Sequence, residues 1–339
     1  GTGNNRYNFL PGSMVEYSAS GPQKIAVASD FNALTSPDHQ YWNLIISGSG
    51  TKSIRGGTLS VRGNLSITGS ATLDQELYDP NIIIGGNWSD RGSSGFIRST
   101  DLTKSVRFNG SGTSPTAAQQ TISCPGGENF TNLWIAKAVS SSVKLLSPVT
   151  VSNRLSLGQS GTTNYGIIEL NGQQLTIDNA DPTSIQLSGT AGYYRYIVSE
   201  DSSVAAGGKV RWKIGSAVTV LPANTWPWPY VIPFGINAVS DTIPFGFYKT
   251  STDTIGYLSV GTYGTPENNL PWPQGVNSLN SLNFVNNTPD NRLWTADRYW
   301  YLSTGSATAG AGAAFSYNNR SGTASELPAN DNNSGNMRA

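Results

Sequence analysis

His39 and Cys124 are the only histidine and the only cysteine in the chain, and that limits the chemistry the sequence can support. A single imidazole excludes zinc sites built from several histidines, and leaves a serine or cysteine nucleophile with one candidate base. His39 lies in "SPDHQYW", which reads as a loop carrying an ordinary polar residue. Cys124 follows a strand-like run in "TISCPGG" and reads as a buried or half-buried thiol. The other catalytic option is a carboxylate pair. A polysaccharide hydrolase needs two acids facing each other across a bond, and a lyase needs acids for calcium beside an Arg or Lys base. Acids such as Asp74, Asp90, Asp101, Glu128 and Asp181 are sparse, do not recur at a fixed spacing and sit mostly in apparent turns. We therefore expect no catalytic residues, no cofactor and no enzyme activity.

Weaker chemical signals have plainer readings. "GSGTKS" at 48–53 lacks the spacing of a phosphate loop and reads as a turn. "DNADPTS" at 178–184 and "NNTPDNR" at 286–292 offer oxygens for a structural calcium, but match Asx turns better. Trp42, Trp226, Trp228 and Trp272 could form a stacking platform for glycans or a self-association patch, against the alternative of core packing. Thr242 and Thr254 each follow Asp and precede Ile, a short pattern of bacterial O-glycosylation.

Two similar phrases supply the organisation. "YWNLIISGSGTKSI" begins at Tyr41, and "FTNLWIAKAVSSSVKLL" begins at Phe130. Flanking landmarks match in the same order: Val15 with Val106, Gln23 with Gln120, Val61 with Val151 and Leu65 with Leu155, at offsets of 91, 97, 90 and 90. A finer beat lies within. Asn43, Asn64, Asn87, Asn109, Asn132 and Asn153 are 21, 23, 22, 23 and 21 residues apart. Around them apolar residues alternate with Ser, Thr, Arg and Gln, the period of two that sends one face of a strand inward. Short strands at a beat near 22 with no helical segment predict a right-handed parallel β-helix, an all-β solenoid. The asparagines would form one corner ladder, in left-handed geometry and paired by their amides.

From about residue 216 the beat stops at "LPANTWPWPYVIPFG", where proline cannot donate to a ladder. The organisation expected is a β-helix over 1–215, then a small antiparallel, sandwich-like β domain over 216–339 that could cap it.

The repeat text, "GSMVEYSASGPQKI" through "TLSVRGNLSITGSATLD" and its second copy, resembles the β-helical ectodomains of secreted and cell-surface proteins of Bacteroidota. Those proteins typically carry a sorting domain for the type IX secretion system, and some are adhesin-like. The resemblance covers roughly residues 13–215 and implies a secreted or surface location. The chain begins without Met and reads as a mature protein or a segment of a longer one.

Composition agrees with that expectation. Only 12% of residues are charged, and 21 basic residues balance 21 acidic ones. With no basic stripe, a nucleic-acid partner is not expected, and no apolar run reaches the 18 residues of a membrane span. The reading is a structural or adhesive extracellular module, a rigid spacer or a subunit that associates end to end. Its partners would be other copies, adjacent domains or surface glycans. The alternative is a polysaccharide-binding or polysaccharide-cleaving β-helix.

Overall fold

Short alternating runs bounded by Gly, Asn and Ser become strands, and the computed structural model contains no helix among its described residues. It describes residues 9–27, 41–91, 95–110, 119–138, 140–159, 165–189, 194–200, 208–216, 228–236, 242–253, 255–266, 269–270, 296–305, 310–317 and 326. His39, Trp226, Trp272, Thr254 and the 286–292 turn lie outside them. No helix there is long and apolar enough to cross a membrane.

In chain order the first strands are β1 (Met14–Tyr17), β2 (Gln23–Ile25), β3 (Asn43–Ile46), β4 (Ser49–Ile54), β5 (Thr58–Val61) and β6 (Leu65–Ile67). Then come β7 (Ser70–Asp74), β8 (Asn81–Ile84), β9 (Trp88–Asp90), β10 (Phe96–Ile97), β11 (Val106–Phe108) and β12 (Gln120–Ser123). The series continues with β13 (Glu128–Ile135), β14 (Ser142–Leu145), β15 (Val149–Leu157), β16 (Gly166–Glu169), β17 (Gln174–Ile177) and β18 (Ile185–Leu187). The last are β19 (Arg195–Val198), β20 (Lys209–Ile214), β21 (Tyr230–Ile232), β22 (Phe245–Lys249), β23 (Gly256–Gly264), β24 (Arg298–Thr304) and β25 (Ala311–Ala314).

The chain divides into two compact units: residues 1–169 with 175–195, and residues 170–174 with 196–339. The residue 215/216 boundary expected from sequence falls inside the second unit. In the first unit every described strand pairing is parallel. One sheet runs β1-β3-β6-β9-β12-β14-β16, a second β10-β7-β4-β2, and a third β17-β15-β13-β11-β8-β5, with β18 also on β15. From β3 to β11 the chain visits these three sheets in strict rotation.

Parallel register turns the alternation into columns. In the first sheet Leu44 stands beside Leu65, Leu65 beside Trp88, Trp88 beside Ile122 and Ile122 beside Leu145. In the third, Leu59, Ile82, Val106, Leu133 and Leu155 follow one another. All these side chains are buried, so successive strands extend one apolar core. The corner from the first sheet to the second is glycine, because the chain turns there with φ of +72° at Gly48 and +66° at Gly69. A Cβ on Gly48 would lie 2.3 Å from the Ser18 carbonyl oxygen.

The two matching phrases do not occupy equivalent places. Asn43 and Leu44 begin β3 in the first sheet, while Asn132 and Leu133 lie in β13 of the third. Likewise Gln23 belongs to the second sheet and Gln120 to the first. At these landmarks the text has moved one sheet around the rotation, while Val61 and Val151 both lie in the third sheet. Strand grammar permits this, because each sheet asks for the same alternation.

Lys52 of "GSGTKS" is fully buried, in register with Leu73. Its ammonium donates to the carbonyls of Ala19 (2.6 Å), Gly21 (2.7 Å) and Ser49 (2.9 Å). The group satisfies turn carbonyls and leaves no role for a phosphate.

In the second unit β20-β23-β24 and β21-β22-β25 pair antiparallel, while Ile197 of β19 bridges Phe234 in parallel. Trp212 and Tyr230 pack edge to face at 5.1 Å. The Arg298 guanidinium is buried, lies 2.6 Å from Glu200 and grips both oxygens of Glu326.

Two outcomes follow. Lys52→Met keeps the apolar stem but strips three carbonyls of their donor, and should lower unfolding free energy by about 2–3 kcal/mol in urea melts. Burial lowers the Lys137 pKa to about 8 from 10.5. The unfolded chain therefore holds the proton between those values while the fold has released it, so stability should rise as pH climbs through that window. Lys137→Met should lack that rise.

Candidate functional site

Five of the six asparagines of the 22-residue beat fall into two rows. In the first, the side-chain oxygen of Asn43 accepts the backbone N–H of Asn64 at 3.0 Å, and that of Asn64 accepts the N–H of Asn87 at 2.8 Å. Asn87 then accepts the N–H of Thr121 at 2.8 Å. In the second row the Asn153 amide donates to the Asn132 oxygen at 2.7 Å, and the Asn179 amide donates to Asn153 at 3.3 Å. Asn109 follows β11 and enters neither row. The rows occupy different sheets, because the text moved one sheet around the rotation. None of the six has the expected left-handed backbone. Extended strand ends already aim these amides along the sheet.

Of the tryptophans proposed as a platform, Trp42 and Trp228 are among the described residues. Trp42 is half-buried, and its carbonyl accepts the N–H of Gly63 at 2.6 Å. Trp228 lies in the other unit, edge to face with Tyr248 at 4.9 Å. Thr242 is exposed, with its backbone bridged to Gly235. In the 178–184 turn the Asp181 carboxylate accepts both the N–H and the hydroxyl of Thr183, at 2.8 and 2.9 Å. These bonds hold its pKa below the usual value; the loop is an Asx turn.

The cluster with chemical potential lies elsewhere. Asp90, Cys124 and Glu128 each bring a ligand atom within 4.8 Å of the others, and all three are buried. Register explains their meeting. Ile46 pairs with Ile67, and Ile67 with Asp90, so Asp90 takes an inward place in an apolar column. Ser89 pairs with Ser123, which puts Cys124 at the next place beside Asp90. The turn Cys124-Pro125-Gly126-Gly127, closed by a 2.7 Å bond from Gly127 N–H to the Cys124 carbonyl, then returns the chain to Glu128. Glu128 pairs with Val149 and is also in phase with buried Phe130.

The surroundings are apolar on one side and open on the other. Trp88, Phe96 and Phe130 form a cluster with ring centroids 5.0, 5.4 and 6.0 Å apart. The Trp88 indole donates to Glu128 at 2.7 Å, and the Asn129 N–H donates to its other oxygen at 3.0 Å. A cavity of about 320 Å3 adjoins the two acids and the thiol and is also lined by Phe96 and Gly126. Burial raises the Glu128 pKa to about 8 against the pull of those two donors, with Asp90 adding to the rise. Burial, then Glu128 and Asp90, push the Cys124 thiol up to about 11. The thiol is thus a poor nucleophile at neutral pH.

Sequence reading passed over this cluster because its members are 34 and 4 residues apart and match no motif. The available signal was phase. Asp90 falls in step with Trp88, and Glu128 with Phe130, where alternation calls for apolar residues.

No family model matches the chain, and neither a curated protein nor a solved structure matches it.

The first asparagine row has a measurable weight. Asn64→Ala removes a bond to the next strand and should cost about 1 kcal/mol in thermal or urea unfolding. Asn109→Ala should stay within about 0.5 kcal/mol of the parent.

Proposed function

We propose that the first unit is a right-handed parallel β-helix, and that the protein is a non-enzymatic structural or adhesive module on the outside of a bacterial cell. It serves as a rigid spacer, or as a subunit that associates end to end. The observation that carries this reading is the rotation of the chain through three parallel sheets, with apolar columns running from strand to strand. Such a unit is held by contacts from each strand to the next, and its natural products are length and surface. The asparagine rows support the same reading, since their side chains are consumed in binding neighbouring strands. The low share of charged residues and the resemblance to Bacteroidota surface ectodomains support a location outside the cell.

Two measurements test this. Intact producing cells should bind an antibody raised against the protein, and the purified protein should release no new reducing ends from a panel of plant and microbial polysaccharides. Labelling only after lysis, or polysaccharide cleavage, would overturn the reading. Sedimentation velocity assigns the form: species that grow with concentration mark an associating subunit, and a monomer throughout marks a spacer.

A further inference from the structure

We propose that Asp90, Cys124 and Glu128 bind one divalent cation of the zinc class, with the fourth ligand position open to the adjoining cavity. Three donor atoms within 4.8 Å of one another already have nearly the span of ligands around one ion. Zinc bonds of about 2.3 Å to sulfur and 2.0–2.2 Å to oxygen put ligand atoms roughly 3.5 Å apart, so closure needs shifts of about 1 Å. The donors come from separate places in the fold: the end of β9, the turn after β12 and the start of β13.

Two further observations point to an ion. One is the cavity of about 320 Å3 that all three side chains line, which supplies an entry path and room for a water or another ligand. The other is the state of Glu128, which is only 5% exposed and sits beside an aromatic cluster. Among the described residues its hydrogen bonds come from two neutral donors, the Trp88 indole and the Asn129 N–H. A carboxylate in an apolar column calls for a counter-charge, and a divalent cation held jointly with Asp90 and Cys124 provides it.

The donor chemistry selects the metal. A thiolate with two carboxylates suits zinc, cobalt or cadmium, whereas calcium and magnesium require more oxygens and reject sulfur. Cys124 binds as thiolate and Glu128 as carboxylate, their protons passing to solvent. The outer contacts are those of a built site. The indole at 2.7 Å fixes the Glu128 carboxylate, and the Cys124 N–H donates to the Ser147 hydroxyl at 2.6 Å. The ion would act as a staple. From Trp88 to its partner Ile122 the chain runs 34 residues, the longest step among the described parallel strand pairings of the first unit.

The test uses the full chain stripped with a chelator and titrated with Zn2+ by calorimetry and with Co2+ by absorption. One equivalent should bind, Co2+ should give a thiolate charge-transfer band in the near ultraviolet, and Zn2+ should slow alkylation of Cys124 by iodoacetamide at least tenfold. Cys124→Ser should abolish the band, and Glu128→Gln should weaken Zn2+ binding at least tenfold, while Asp101→Asn in an exposed turn should leave both unchanged. Absence of the band in the parent protein, or alkylation at the same rate with and without Zn2+, would overturn the proposal. Both of those readings are made on the parent chain and do not depend on the variants folding.

Discussion

Parallel pairing makes every strand of the first unit depend on a segment one rotation away for its hydrogen bonds, and the rest of the structure answers to that demand. Register with the neighbour decides which side chains face inward, so a residue's fate is set by its place in a column. Leu44, Leu65, Trp88, Ile122 and Leu145 fill one column and differ widely in size without breaking it. A polar residue in such a place must be satisfied locally or remain costly. Lys52 meets this by donating to three turn carbonyls. Gln120 does so with its amide on the carbonyls of Ile84 and Gly86, and with its oxygen on the Gly110 N–H. Glu128 does so with its two oxygens, on the Trp88 indole and the Asn129 N–H.

The same demand explains the asparagines. A strand end that meets its neighbour leaves backbone N–H groups facing along the sheet, and an amide one rotation back can accept them. Asn43, Asn64 and Asn87 do this at the entry to the first sheet. Asn132, Asn153 and Asn179 instead link amide to amide while also donating to the backbone carbonyls of Leu102, Lys104 and Asn153. One residue type thus serves two corners by different bonds, which is why a single beat in sequence covers two rows in space.

Much of this architecture was legible from the residues. Alternation gave strands, and the landmarks near 90 residues apart gave a repeat; parallel sheets with buried Leu, Ile and Val are what both imply. The exchange of sheet between the two copies was not legible, since "NLII" and "NLWI" satisfy any of the three sheets equally. The end of the first unit was also hidden, because "KVRWKI" at 209–214 alternates as well as any parallel strand and yet pairs antiparallel with β23. The Asp90–Cys124–Glu128 cluster was half legible. Phase marks both acids as inward, but their meeting depends on a 34-residue step whose length no local pattern fixes.

The columns also have a consequence for how the chain reaches this state. Almost no strand of the first unit can pair with its nearest sequence neighbour, so early collapse gains few native bonds and loop closure must come first. Once two neighbouring strands are joined, each new strand meets a ready template. Folding should then be slow to nucleate and fast to extend, and a chain emerging during synthesis would grow its sheets from the first completed rotation onward.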